Sequence, residues 1–318
     1  MDISIVVPLF NEEGVVHELH NRLSKVLNSL DKKYEIIFID DGSSDNTYDK
    51  ILEIDDIHLK VVKLRSNYGQ TLALAAGIDE ATGDIIIAMD GDLQHAPEDI
   101  PKFVEKIDEG WDIVSGWRKE RKDNLIMRKI PSRIANWLMK LLSGINIHDF
   151  GTTFKAYKKH VIKSVKLYGQ FHRFIPVIAS SKLKLKITEI PIQNIKRPVG
   201  QSNYGISRTF TVFFDLIRLK FLTTYLSRPL QIFGTLGLLS GFLGFCITCY
   251  LVYLKYFYGL GLFSHRGPLF VFSLVLMVVG LLLLMLGLLG ELVVKVFYEL
   301  NKDKSYLVEK IFTSKQEQ

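Results

Sequence analysis

The chain has 318 residues, of which 48% are hydrophobic, and a formal net charge of +6. This length predicts about two domains and excludes a single small module. The charge is unevenly distributed, because residues 1–112 hold 24 acidic and 10 basic residues (−14), whereas residues 113–318 hold 10 and 30 (+20). Basic surface is typical of proteins that bind nucleic acid, anionic lipid or a phosphorylated substrate. The sequence contains no recognised nucleic-acid-binding motif, so we expect no nucleic-acid partner.

The first 112 residues alternate apolar, strand-like runs with segments of helical periodicity. The predicted strands are residues 3–7, 34–39, 59–64 and 85–89, and the predicted helices are residues 12–30, about 43–53 and 70–81. This alternation favours an α/β fold with a mostly parallel sheet and helices on both faces.

Two of the predicted strands end in acidic residues. Asp40 and Asp41 follow the second strand, and Asp90 and Asp92 follow the fourth. Ligands of open α/β sheets bind at the carboxyl ends of the strands, and carboxylates suit hard cations such as Mg²⁺ or Mn²⁺. The alternative interpretation is that Asp90 and Asp92 only shape a turn around Gly91.

Two later segments combine an apolar stripe with basic flanks. They are residues 131–142 and residues 208–225, and the second lies within a predicted interfacial segment, residues 206–228. Such helices are typical of the membrane headgroup plane. The alternative is an ordinary helix that faces a protein core.

Residues 230–254 and 269–290 are apolar or small almost throughout. About 20 apolar residues suffice to cross a bilayer core of about 30 Å, so we predict a two-helix transmembrane hairpin within residues 229–295. Lys and Arg are more frequent at the outer ends of the hairpin than in its loop, which places both termini in the cytoplasm. We expect no secretory signal peptide. Four glycines lie on one face of the first helix, where they would pack the hairpin or a second protomer of a homo-oligomer: Gly234, Gly237, Gly241 and Gly244.

A series of short motifs stands at or just after the predicted strand ends. In chain order they are Pro8, Asn11-Glu12-Glu13, residues 40–45 (DDGSSD), Asn67-Tyr68-Gly69, Gly83-Asp84 and residues 90–97 (DGDLQHAP). Over about residues 3–205 this order resembles glycosyltransferase family 2, and most closely its dolichol-phosphate mannose synthases and bacterial polyprenyl-phosphate glycosyltransferases. The resemblance implies a Rossmann-like GT-A catalytic domain (1–205), followed by the interfacial segment, the hairpin and a cytoplasmic C-terminal tail (296–318).

The resemblance implies donor-binding roles at the strand ends. Pro8, Glu12 and Asp41 would line the pocket for the nucleotide base and ribose, since a carboxylate accepts hydrogen bonds from both. Asp92 would bind Mg²⁺ or Mn²⁺ directly, and Asp90 would hold the ribose or the hydration shell of the cation. Gln94 would contact the donor sugar or its phosphates.

The resemblance also implies phosphate-binding and acceptor-side groups downstream. The phosphate-binding candidates are Arg118, Arg133, Arg197 and Ser202. Asn203 stands where the family usually has Lys, so one expected cation is missing from that loop. Asp149 would act as a base or orient the acceptor, and His172 and Arg173 would lie on the acceptor side.

The predicted activity is inverting transfer of a sugar from a nucleotide-sugar, UDP-glucose or UDP-N-acetylglucosamine, to a polyprenyl phosphate such as undecaprenyl phosphate. The first alternative is a processive polysaccharide synthase, but residues 170–174 (QFHRF) end in Phe where those enzymes have Trp. The second is a non-catalytic membrane scaffold, which the intact Asp90, Asp92 and Gln94 argue against. We expect an integral protein of the bacterial plasma membrane.

Overall fold

The computed structural model describes residues 1–119, 140, 145–165, 167, 171–180, 183–193, 195, 229–259, 266–300 and 308–313. The chain divides into two compact units. The first contains residues 1–216 and 304–318, and the second contains residues 217–303.

A mixed sheet of eight strands forms the centre of the first unit. The strands are β1 (Ile3–Leu9), β2 (Tyr34–Asp40), β3 (Leu59–Leu64), β4 (Ile85–Ala88), β5 (Ile113–Trp117), β6 (Lys155–Lys158), β7 (Ile187–Pro191) and β8 (Val308–Thr313). Their spatial order is β7-β5-β6-β4-β1-β2-β3-β8. The four predicted strands are confirmed as β1 to β4, and they run parallel as predicted.

The strands beyond β4 change the direction of the sheet. β6 lies between β4 and β5 and runs antiparallel to both, and β7 extends β5 in parallel. β8 follows the second unit in the chain and pairs antiparallel with β3, with Val62 opposite Ile311. It has no counterpart among the strands predicted from sequence.

Helices cover both faces of this sheet, as the alternation of elements predicts. They are α1 (Val16–Asn28), α2 (Thr47–Leu52), α3 (Gln70–Glu80), α4 (Ile100–Asp108), α5 (Lys159–Lys163) and α6 (Ile175–Ser180). Successive strand residues point to opposite faces. Ile36 and Phe38 of β2 therefore join the core under α1 and α4, whereas Ile37 and Ile39 join the core under α3.

Helix α3 packs closely on the sheet. Its first residue, Gln70, contacts Asp90 at the end of β4. A Cβ atom at Gly77 would lie 2.4 Å from Cγ1 of Val6 and 2.5 Å from Cδ1 of Ile39. A side chain at this position would therefore push α3 away from β1 and β2. The register pairs Leu9 of β1 with Asp40 of β2, so the carboxyl ends of these two strands are level.

Two long helices, α7 (Pro229–Tyr258) and α8 (Gly267–Leu300), dominate the second unit. Their apolar parts, Pro229–Tyr258 and Gly267–Val293, are long and apolar enough to cross a membrane, and each contains an 18-residue stretch of high mean hydropathy, 1.9 in the first and 3.1 in the second. They are consistent with the predicted hairpin and fit a membrane protein. The predicted interfacial segments, residues 131–142 and 206–228, lie outside the described residues apart from Lys140.

The two helices approach each other closely at glycines. The carbonyl oxygen of Gly280 would lie 2.6 Å from a Cβ atom at Gly237, and that of Ser273 would lie 2.6 Å from one at Gly244. Ser240 also donates a hydrogen bond to the carbonyl of Leu276 at 2.9 Å. Two of the four aligned glycines thus face α8 directly.

Candidate active site

A cavity of about 340 Å³ opens at the carboxyl ends of β1, β2 and β4. Nine of the predicted site residues line it: Pro8, Glu12, Asp41, Asp90, Asp92, Gln94, Arg118, His172 and Arg173. Asp149 is hydrogen-bonded to one of them, Arg118. Arg133, Arg197 and Ser202 lie outside the described residues.

Asp41 is held by the backbone that leads into α3. Its Oδ1 accepts a hydrogen bond from the N–H of Tyr68 and its Oδ2 one from the N–H of Gly69, both at 2.8 Å. Burial raises the pKa of Asp41, although these two bonds act in the opposite direction. Each carboxylate oxygen has a second lone pair. The side chain can therefore accept a further hydrogen bond from a ligand in the cavity.

Asp90 is bonded to the first residue of α3. The side-chain amide of Gln70 donates to Oδ1 of Asp90 at 2.5 Å and to Oγ1 of Thr153 at 3.3 Å. Burial is the largest influence on Asp90 and raises its pKa, while the positive charges of Arg118 and Lys155 lower it. Gln70 thus links the end of β4 to the loop before β6.

The backbone conformation at Leu93 helps to orient the carboxylate of Asp92. Leu93 has φ +55°, in the left-handed region that residues other than Gly rarely adopt. Oδ1 of Asp92 accepts a hydrogen bond from the N–H of Gln94 at 3.1 Å. Such outliers persist where the surroundings over-determine them, often at functional sites. Leu93 is buried, which holds this turn in place.

The carboxylates at this turn fit a hard divalent cation whose remaining ligands would come from a bound diphosphate and water. Asp90 and Asp92 supply carboxylate oxygens on the cavity wall, and the described residues contain no group of three His, Cys, Asp or Glu side chains suited to a metal. Mg²⁺ commonly binds through one or two carboxylates, waters and substrate phosphates. In addition, Nδ1 of His95 is buried without a hydrogen-bond partner in the described part of the chain, 3.7 Å from Oδ2 of Asp90.

A second group of charges, which are positive, also lines the cavity. Arg118 makes two hydrogen bonds to Asp149, from Nε to Oδ2 at 2.7 Å and from Nη2 to Oδ1 at 3.0 Å. Arg118 and Arg173 both line the cavity. Guanidinium groups bind phosphate through paired N–H donors. Arg118 and Arg173 therefore make the cavity suited to phosphate oxygens.

His172 lines the cavity but is itself bonded within the protein. Its Nδ1 lies 2.7 Å from Oγ1 of Thr71 in α3. Burial, together with the positive charges of Arg173 and Lys155, lowers the pKa of His172 to about 3. The ring is thus neutral near pH 7 and does not add a positive charge to those of Arg118 and Arg173.

Three residues of this region were not predicted from the sequence: Gln70, Thr153 and Lys155. Gln70 could have been suspected, because it opens a predicted helix directly after the Asn67-Tyr68-Gly69 motif. Lys155 is fully buried, and it donates hydrogen bonds to the carbonyls of Phe150, at 3.2 Å, and Thr152. Burial lowers the pKa of Lys155 to about 7. No sequence signal distinguishes it from the surface lysines around it.

Solved structures with a similar fold are GT-A glycosyltransferases. Glucosyl-3-phosphoglycerate synthase from Mycobacterium tuberculosis, in complex with Mn²⁺, uridine diphosphate and phosphoglyceric acid, gives a TM-score of 0.55 at 18% identity, covering 70% of this chain and 78% of that one. Its complex with Mg²⁺ and uridine diphosphate gives 0.53 at 15% identity, covering 70% and 79%. The likeness shows that the fold of this chain is of the GT-A type, and these two complexes of the solved enzyme contain Mn²⁺ and Mg²⁺.

Sequence comparison identifies the family. The "Glycosyl transferase family 2" profile matches residues 4–166. The chain is 39% identical over 317 residues to the dodecaprenyl-phosphate galacturonate synthase of Rhizobium johnstonii, covering 98% of this chain and 93% of that protein. It is 33% identical over 312 residues to the undecaprenyl-phosphate 4-deoxy-4-formamido-L-arabinose transferase of Klebsiella pneumoniae, covering 97% and 93%. This chain belongs to glycosyltransferase family 2, and these relatives are polyprenyl-phosphate glycosyltransferases.

The predicted family, fold and enzyme class are thus confirmed. The predicted donors, UDP-glucose and UDP-N-acetylglucosamine, are not, because the names of the two relatives contain galacturonate and 4-deoxy-4-formamido-L-arabinose instead.

Proposed function

We propose that this protein is a membrane-bound inverting glycosyltransferase that moves a sugar from a nucleotide-sugar to a polyprenyl phosphate for cell-envelope glycosylation. The observation that carries the proposal is the joint placement of Asp90, Asp92, Arg118 and Arg173 around one cavity. Carboxylates can bind the cation that accompanies a nucleoside diphosphate. Guanidinium groups can bind the phosphates of the donor and of a lipid phosphate. The near full-length similarity to enzymes named for polyprenyl phosphates supports this choice of acceptor.

The donor lies along the acidic strand ends in this proposal. Pro8, Glu12 and Asp41 receive the nucleoside, Asp92 is the direct ligand of Mg²⁺ or Mn²⁺, and Gln94 contacts the sugar or its phosphates. Asp90 holds the ribose or the hydration shell of the cation. A bound divalent cation supplies positive charge for the leaving nucleoside diphosphate.

The acceptor attacks without needing a strong base. A phosphate monoester has its second pKa near 6, so it is largely dianionic at neutral pH. One of its oxygens forms a bond to the anomeric carbon of the sugar while the bond from that carbon to the diphosphate oxygen breaks. The electron pair leaves with the nucleoside diphosphate, and the configuration inverts from α in the donor to β in the product.

The identity of the sugar is decided by assay rather than by the motif residues. We expect a UDP-linked pyranose and undecaprenyl phosphate as the lipid. The donor panel contains UDP-glucose, UDP-N-acetylglucosamine and GDP-mannose. It also contains UDP derivatives of the two sugars in the names of the relatives.

The topology of the chain supports placing its two ends and the catalytic unit on the same side of the membrane, and the Lys and Arg at the outer ends of the hairpin favour the cytoplasm as that side. β3 precedes α7 in the sequence, β8 follows α8, and the two strands pair in one sheet. An even number of membrane crossings must therefore separate them, as the two-helix hairpin provides. Protease accessibility in sealed inside-out vesicles tests this orientation.

The experiment that tests the function uses membranes containing the full-length protein. Each labelled nucleotide-sugar is incubated with undecaprenyl phosphate and Mg²⁺ or Mn²⁺, and the lipid fraction is identified by mass. We expect one monosaccharyl lipid, which Asp92→Ala or excess chelator abolishes while the variant stays folded in the membrane. A long polymer as product, or full activity of Asp92→Ala, contradicts the proposal.

A further inference from the structure

The two members of the Arg118–Asp149 ion pair differ in their access to the cavity. Among the described residues, Arg118 lines the cavity and Asp149 does not. The Asp149 side chain is only 6% exposed, against 15% for Arg118. Both oxygens of Asp149 accept hydrogen bonds from Arg118, and Oδ1 accepts a third from the N–H of Gly151 at 3.0 Å. The carboxylate is thus directed at Arg118 and at its own loop.

The loop that carries Asp149 is held in place by hydrogen bonds from Lys155 and Ser115. Lys155, at the start of β6, is fully buried and bonds to the carbonyls of Phe150 and Thr152. The hydroxyl of Ser115 in β5 donates to the carbonyl of Asp149 at 3.5 Å. Asp149 therefore occupies a defined position between β5 and β6, and it transmits that position to Arg118.

This geometry is better suited to orienting a guanidinium than to accepting a proton. A guanidinium carries five N–H groups in a rigid planar fork. Fixing the edge that contains Nε therefore fixes the direction of the remaining donors. A general base instead needs a lone pair within reach of the proton that it removes. An ionised phosphate acceptor supplies no proton whose removal the transfer requires.

We propose that Asp149 is a positioning residue that holds Arg118 against the cavity, where Arg118 binds phosphate, and that Asp149 accepts no proton during transfer. This inference rests on the proposed function, and it chooses between the two roles, base or orienting group, that family resemblance leaves open for Asp149.

A double-mutant cycle on the full-length protein tests the inference. We compare kcat/KM for the lipid acceptor in the wild type, Arg118→Ala, Asp149→Asn and the double variant. Each single substitution is expected to lower kcat/KM on the order of 10- to 100-fold, as for the loss of charge-assisted hydrogen bonds. Since Asp149 acts only through Arg118, the double variant should lie within about threefold of Arg118→Ala. A further loss of about 100-fold or more in the Arg118→Ala background, as for removal of a base, overturns the proposal.

The pH dependence of kcat is a second measurement, and it distinguishes a base from a positioning residue. If Asp149 were the base, the acidic limb of the wild-type kcat profile would report its ionisation and would disappear in Asp149→Asn. The positioning role predicts the same profile shape at a lower rate. The matched control is Asp112→Asn, because Asp112 pairs with Lys158 at 2.9 Å next to the other ends of β5 and β6. It should leave kcat/KM and the pH profile unchanged.

Arg118→Lys keeps the inference testable if Asp149→Asn does not fold. Lysine retains the charge beside Asp149 but cannot form the two-bond pair. We expect about a tenfold loss of kcat/KM, and a rate near that of the wild type overturns the positioning role. Failure of the proposed function is distinguishable, because it would appear as no lipid product from the wild type. The same cycle is then measured on release of nucleoside diphosphate from the donor, where additive losses again overturn the inference.

Discussion

The side-chain amide of Gln70 bridges Oδ1 of Asp90, at 2.5 Å, and Oγ1 of Thr153, at 3.3 Å. The first residue of α3 therefore links two segments that are far apart in the sequence, one after β4 and one before β6. Asp90 follows β4 and Thr153 precedes β6, and these two strands pair antiparallel. The bridge leaves the second oxygen of Asp90 to face His95, 3.7 Å away.

Loss of this bridge should weaken donor binding. Gln70→Ala removes the hydrogen bond that orients Asp90, and we expect the KM for the nucleotide-sugar to rise about tenfold. Gln70→Glu places a second carboxylate against Asp90 and should have the larger effect. Titration of nucleoside diphosphate binding against Mg²⁺ measures both. Asn28→Ala serves as the control, since Asn28 accepts a hydrogen bond from Tyr34 at the end of α1. Equal affinities in Gln70→Ala and the wild type would contradict this role.

Burial of Lys155 makes stability depend on pH. The pKa of Lys155 is lowered from 10.5 to about 7 in the folded protein, with burial as the largest cause. Between pH 7 and 10.5 the unfolded chain therefore binds more protons than the folded one, and the free energy of unfolding rises with pH. Relative to Lys155→Met, the wild type should gain up to about 1.4 kcal/mol per pH unit in this window.

Thermal unfolding of both proteins in detergent, from pH 7 to pH 10, measures this difference. Lys158→Met, on the same strand, is the matched control because Lys158 is half-buried and paired with Asp112. A wild-type-minus-Lys155→Met difference that stays constant with pH would contradict the expected protonation change.

Packing of the hairpin distinguishes two glycines of the same helix. A Cβ atom at Gly237 would lie 2.6 Å from the carbonyl oxygen of Gly280, whereas one at Gly241 would have no atom within 4 Å. Gly237→Ala should therefore lower stability by about 1–3 kcal/mol, as overpacking does. Gly241→Ala should be neutral or slightly stabilising, because Ala favours helix over Gly. Thermal unfolding in detergent compares the two variants, and equal effects would argue against this packing.

Strand β8 protects an edge of the catalytic sheet. It covers β3 from Lys60 to Leu64, so removal of residues 304–318 exposes unpaired backbone groups along β3. We expect the truncated protein to unfold at a lower temperature and to aggregate more readily. Size-exclusion chromatography and thermal unfolding in detergent measure this. Ile311→Pro is the point-mutation equivalent, because Ile311 pairs with Val62 and proline is disfavoured within a paired strand. Wild-type stability in both variants would show that the edge needs no cover.

Local sequence patterns determined the first half of the fold and the acidic side of the site. Apolar runs and helical periodicity depend on neighbours a few residues apart, so β1 to β4 and their helices could be predicted. The rule that ligands bind at the carboxyl ends of parallel strands then placed Asp41, Asp90 and Asp92 together. The same short-range logic predicted the two apolar helices, whose length and composition suffice without any knowledge of their partners.

The tertiary structure alone decided the remaining contacts, because they join residues that are distant in the sequence. The antiparallel insertion of β6 between β4 and β5 brings the loop of Asp149 and Thr153 to the acidic end of β4. Only this insertion makes Arg118 a partner of Asp149 and buries Lys155 beneath their loop. Strand order and direction depend on long-range pairing, and a lysine or an aspartate has the same local pattern whether it is exposed or buried.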